Sequence, residues 1–157
     1  MSFILSNKSL GRLDGVHEDM QKIVKRAISL SRVDFGIICG LRTYKEQAAL
    51  VSKGASQTMN SKHMKQESTG KSHAVDLMAY IGSRASWELN LYDDIADAMK
   101  AAAIELGIKI RWGAAWHKTL NEWEDTAEKL MNQYIDIRRS QGRRPFIDGP
   151  HFQLEIN

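Results

Sequence analysis

The sequence predicts an α+β domain with helices packed on a small antiparallel sheet, and three observations predict it. Helical and strand-like segments follow one another without regular alternation. The 157 residues, 43% of them hydrophobic, are enough for one domain with a sizeable core. The final segment, from His151 to Ile156, alternates apolar and polar residues with the period of a strand. No internal repeat or linker divides the chain, so residues 1–157 read as a single unit.

In chain order, Leu13, Val16, Met20, Ile23, Val24, Ala27, Ile28 and Leu30 recur mostly at three- and four-residue intervals, which predicts a first helix carrying His17 as a structural residue. Residues 35–41 are a short apolar run containing Gly36 and Gly40 and read as a buried strand, with Cys39 as a small buried hydrophobe. Thr43-Tyr44-Lys45-Glu46 is a capping box that starts a helix ending near Gly54, so Arg42 sits at a strand-to-helix junction. Residues 55–72 are polar and aperiodic and predict a long loop, the kind that in compact domains is usually functional or mobile. Residues 73–80 alternate in part, Val75 and Leu77 against Asp76 and Met78, and read as a strand. A helix over 91–106 stops at Gly107, and a strand over 108–112 ends at Gly113. A second capping box, Thr119-Leu120-Asn121-Glu122, is expected to open a helix that Gly142 closes.

Composition narrows the function. Lys and Arg outnumber Asp and Glu only 22 to 19, too mild an excess to argue for nucleic acid. No stretch reaches the roughly 18 apolar residues of a membrane helix. A single cysteine excludes a disulfide framework and a Cys-type zinc site. The amino terminus lacks a basic segment followed by a long apolar one, so synthesis in a cytoplasm is expected.

The chemistry concentrates in two places: Ser61-Lys62-His63 followed by residues 70–76, then Asp148-Gly149-Pro150-His151. Two neutral imidazoles and one carboxylate suit a three-ligand zinc site whose fourth position stays open, as hydrolysis requires. Asp76 interrupts an apolar run, so pointing inward it should be paired or metal-bound, and pointing outward it is an exposed strand carboxylate. If His151 is a ligand, the turn before the last strand brings Asp148 over the same site as a free base.

At these residues the chain resembles the zinc peptidases that include D-alanyl-D-alanine carboxypeptidases, vancomycin-resistance dipeptidases and phage L-alanyl-D-glutamate endopeptidases. Their signature is Ser-x-His-x-x-Gly-x-Ala-x-Asp followed much later by an acidic residue and a histidine. The similarity is greatest to the phage endolysins, through Gly40-Leu41-Arg42-Thr43 with Gln47, Trp112-Gly113, and residues 148–154. The resemblance implies His63, Asp76 and His151 as ligands of Zn2+, Asp148 as general base, Arg42 as the cation facing substrate or oxyanion, and Ser61 as the signature serine beside the substrate. His63 and Asp76 enclose twelve residues where the signature has six, and Ser72 replaces its glycine, so His73 stands as the alternative ligand. Because His73 and Asp76 are three apart on a strand, they would share an ion only across a bend.

The implied activity is that of a phage endolysin: a zinc-dependent L-alanyl-D-glutamate endopeptidase hydrolysing peptidoglycan stem peptides for host lysis. The expected protein is a monomeric single peptidase domain without a separate wall-binding domain, made in the host cytoplasm and acting on the periplasmic wall. A carboxypeptidase or dipeptidase of the same family is the alternative enzyme, and a non-catalytic wall-binding domain the alternative of another class. The helix before the last strand reads as an insertion, either lid, wall or added packing. Arg138, Arg139, Arg143 and Arg144 form a basic cluster, either a solvated helix end or a contact for an anionic envelope surface.

Overall fold

The computed structural model describes residues 2–156. Its elements are α1 (Asn7–Arg12), α2 (Glu18–Leu30), β1 (Asp34–Cys39), α3 (Tyr44–Ser52), β2 (Ala74–Ile81), β3 (Arg84–Ser86), α4 (Leu89–Leu106), β4 (Ile110–Trp112), a 3-10 turn (Leu120–Glu122), α5 (Ala127–Ser140) and β5 (His151–Leu154). The expected α+β architecture is present, with all strand pairs antiparallel in the order β1-β2-β5-β4. Strand β2 is the spine. Along one edge it pairs with β1, and on its other edge it meets β5 at its start and β3 at its end.

Period-two alternation gives the sheet two chemically different faces. Val75, Leu77, Phe152, Leu154, Ile110 and Trp112 point into the hydrophobic core, where α2 and α4 pack against each other beneath the sheet. Trp112 stacks on Phe152, its cross-strand neighbour, at 6.4 Å between ring centroids. The opposite face carries Asp76, His151 and Gln153.

Three expectations are corrected, and one strand is added. The first expected helix starts late: the chain turns at Gly15, φ 82°, so Leu13 and Val16 lie before α2, His17 is its N-cap with Nδ1 accepting from the Asp19 amide at 3.0 Å, and α1 is a separate helix ahead of the stripe. The Thr119 box does not open a long helix. It forms only a 3-10 turn without a side-chain cap bond, and α5 begins seven residues further on, capped by Thr126. The reason is tertiary: Thr119 Oγ1 is turned to Glu155, to which it donates, instead of to the amides of the turn, while Asn121 bonds both Ile108 O and the Ile110 amide. Cys39 is half-buried, because a register irregularity between Ile37 and Cys39 turns the end of β1 toward Asp76. The short strand β3 was not expected, its three residues being too few for a periodic signal.

Candidate active site

The ladder between β2 and β5 builds the base of the site. Asp76 and His151 are Cα partners, so their side chains leave the same face side by side. The turn before β5 is held by Gly113: its carbonyl accepts from the Asp148 amide at 2.8 Å, and its own amide donates to His151 O at 2.7 Å. A side chain at Gly113 would meet Asp148 O at 2.2 Å, which is why the chain needs glycine there. Asp148 is thereby set beside Asp76 and His151, with one carboxylate oxygen within 4.8 Å of donor atoms on both.

His63 arrives from the loop. Its carbonyl accepts from the Arg42 amide at 2.8 Å, and neighbouring Lys62 O accepts from the His73 amide at 2.9 Å, so the loop is clasped between the end of β1 and the start of β2. The long spacing to Asp76 is absorbed by a self-contained excursion, closed by Gln66 N to Lys71 O at 3.0 Å and turned at Gly70 with φ 71°. The extra residues therefore leave the approach of His63 undisturbed.

The three donor atoms converge. His63 Nε2 and His151 Nδ1 each lie 3.1 Å from Asp76 Oδ1, and 3.3 Å from each other. Tetrahedral zinc with bonds of about 2.0–2.1 Å separates its ligand atoms by about 3.3–3.4 Å. Two nitrogens and a carboxylate oxygen 3.1–3.3 Å apart are within a few tenths of an ångström of that separation and fit such an ion in donor chemistry. The outward nitrogens are occupied, His63 Nδ1 by Gly40 O at 2.9 Å and His151 Nε2 by Gln153 Oε1 at 2.9 Å.

Electrostatics match this crowding. Burial opposes charge on His63, but the Asp76 carboxylate and the Cys39 thiol outweigh it and raise its pKa to about 10. For Asp76, burial favours the neutral form, yet the two imidazoles hold its carboxyl well below the usual range. Asp148 is pushed up, first by burial and then by the charge of Asp76, against the pull of His151, His63 and Arg42.

Arg42 lies over the same centre: Nη2 is 3.7 Å from Asp76 Oδ2, and Nη1 donates to Gln47 Oε1 at 2.8 Å. Ser61 lines the cleft and accepts the His63 amide at 3.2 Å. His73 points elsewhere, its Nε2 2.7 Å from Thr69 Oγ1 and its ring edge-on to His17. His117 bonds Gln133 and stacks on Tyr134, away from the cleft. The cleft itself measures about 770 Å³ and runs between the loop at 54–62 and an aromatic wall of Trp116 and Phe146.

Several cleft residues escaped sequence reasoning. Trp116 sits 5.4 Å from the His151 ring and donates through Nε1 to Phe146 O at 3.1 Å. Phe146 is 61% exposed, and its amide donates to Tyr134 of α5, so α5 props the wall from behind. Buried Gln47 ties Arg42 to Ser56 and Thr58, anchoring the opposite wall. An exposed aromatic in an irregular segment carries no periodic signal; only the Gln47 spacing within the resemblance hinted at its partner.

Residues 1–155 match the family model described as phage L-alanyl-D-glutamate peptidase. The chain is 36% identical over 121 residues to the L-alanyl-D-glutamate peptidase of Escherichia phage T5, spanning 74% of this chain and 84% of that protein. It is also similar to the crystal structure of the Serratia marcescens L-Ala D-Glu endopeptidase ChiX, with a TM-score of 0.68 and 32% identity, covering 99% of this chain and 90% of that one.

Proposed function

The chain belongs to the phage L-alanyl-D-glutamate peptidase family, and from that premise we propose that it is a zinc-dependent endolysin cutting peptidoglycan stem peptides between L-alanine and D-glutamate. The observation that carries the reading is the convergence of His63 Nε2, Asp76 Oδ1 and His151 Nδ1 within 3.3 Å, with the Asp148 carboxylate beside them.

In this reading His63, Asp76 and His151 hold the ion. When bound, Zn2+ supplies Lewis acidity that activates water and polarises a peptide carbonyl. Asp148 takes a proton from the attacking water and returns it to the leaving amine. Its raised pKa suits that task, because a base nearer the working pH transfers protons in both directions. Arg42, held by Gln47, keeps part of its guanidinium turned to the cleft, where it binds a substrate carboxylate or the developing oxyanion. Ser61 lines the substrate path and fixes the His63 backbone. The proposal includes a monomeric single peptidase domain, synthesis in a host cytoplasm and action on the periplasmic wall. It also includes contact of Arg138, Arg139, Arg143 and Arg144 with anionic envelope surface.

The test is digestion of a defined disaccharide-tetrapeptide, followed by mass spectrometry. Release of a peptide beginning with D-glutamate is expected; release of terminal D-alanine would replace the reading with a carboxypeptidase. Full turnover in chelator-treated protein shown by elemental analysis to be free of metal would overturn the zinc assignment.

A further inference from the structure

We propose that Gln153 is a positioning residue: it sets the tautomer of His151 and through it the affinity of the site for its metal. The inference rests on the metallopeptidase reading above. A neutral imidazole has one N–H and one lone pair, and only the lone pair can ligate. His151 Nδ1 faces the donor cluster, 3.1 Å from Asp76 Oδ1, while Nε2 lies 2.9 Å from Gln153 Oε1. With Nδ1 given to the ion, the ring's single hydrogen sits on Nε2, where the carboxamide oxygen, which only accepts, holds it.

The strand delivers this partner. Gln153 is two residues from His151 on β5 and therefore on the same face, and its backbone is fixed on both sides by pairing with Ala74 and Arg111. His63 is held by the same logic in reverse, Nδ1 donating to Gly40 O and Nε2 facing inward. That acceptor is main chain, at a glycine where an added Cβ would clash with Arg12 O. His63 Nδ1 has the Cys39 thiol beside it as well, 3.7 Å away, whereas the outward nitrogen of His151 is held by the one side chain of Gln153.

The experiment measures the Zn2+ dissociation constant of the full-length, substrate-free protein by competition with a chromogenic chelator. Gln153→Leu removes the acceptor at similar volume and is expected to weaken Zn2+ about 10–100-fold. Gln153→Glu keeps an acceptor oxygen and should return most of that affinity. In the zinc-loaded protein, ring nitrogen shifts should show His151 protonated at Nε2. Circular dichroism of the metal-free variants checks folding, and Gln153→Ala takes the place of the leucine variant should it unfold. Wild-type affinity in the leucine or alanine variant would overturn the proposal, including the case in which KM alone rises because Gln153 merely touches substrate. A wild-type protein that fails to bind Zn2+ would overturn the metallopeptidase reading and this inference together.

Discussion

Asp76 and His151 are partners in the β2–β5 ladder, and their side chains meet with Nδ1 3.1 Å from Oδ1. Two of the three converging donors are thus spaced by sheet hydrogen bonding, and sites built on strands hold their geometry better than sites built on loops. Asp76→Ala and His151→Ala should each lose stoichiometric zinc in equilibrium dialysis and lose measurable turnover. A variant of either residue that still carries one zinc per chain contradicts the ligand assignment.

Asp148 should separate binding from chemistry. Asp148→Asn is expected to keep zinc while kcat falls by about 10²–10⁴, the usual contribution of a general base. Because burial and Asp76 raise this carboxyl, the acid limb of kcat/KM should lie above the ordinary carboxylate value of 3.8. A variant as active as wild type refutes the base assignment.

Gly113 holds the Asp148 turn at a contact distance no side chain permits, with Asp148 O at 2.2 Å and His151 Cβ at 2.9 Å from an added Cβ. Gly113→Ala should cost about 1–3 kcal/mol in urea unfolding, the scale of overpacking, and lower turnover by displacing Asp148. Gly11→Ala, in α1 with nothing within 4 Å, is the control and should be neutral or mildly stabilising.

Asp93 sits buried on α4 with Oδ1 unpartnered, and burial, then the charges of Glu128, Asp94 and Asp97, raise its pKa to about 6. A carboxyl with a raised folded-state pKa contributes stability below about 3.8 that is lost as pH rises through about 6. Asp93→Asn should therefore stabilise the protein by about 1–2 kcal/mol at pH 8 and by much less at pH 4. Melting curves at the two pH values check this, and equal shifts at both would rule out the titration.

The arginine cluster at the end of α5 is predicted to act through charge, with Arg139, Arg143 and Arg144 exposed and Arg138 bonded to Arg144 O. Replacing all four with glutamine should slow lysis of wall-bearing cells at low salt and much less at high salt, where screening already removes the attraction. Equal lysis at both salts leaves the cluster as a solvated helix end.

Where local chemistry and periodicity agree, the elements are legible. Thr43 and Glu46 form the expected capping box, Gly107 ends α4 in the left-handed region, and Val75 and Leu77 face the core opposite Asp76. Local reading fails where a distant partner takes a residue away. Thr119 has the right neighbours for a cap but gives its hydroxyl to Glu155, 36 residues on. The stripe from Leu13 to Leu30 is continuous in sequence yet broken at Gly15, because the chain turns there to pair Val16 with Ser72.

By itself the sequence determined the α+β class, the core faces of its strands and the residue types able to hold an ion, since these follow from side-chain periodicity and donor chemistry within a few residues. Only the tertiary structure decided how those donors meet: the β2–β5 register set Asp76 against His151, and the closed excursion at residues 66–71 let His63 reach them. The same was true of the Gln47 and Gln153 contacts and the Trp116 and Phe146 wall. Distances between atoms far apart in the chain arise from strand pairing and loop closure, and these depend on partners that no local window contains.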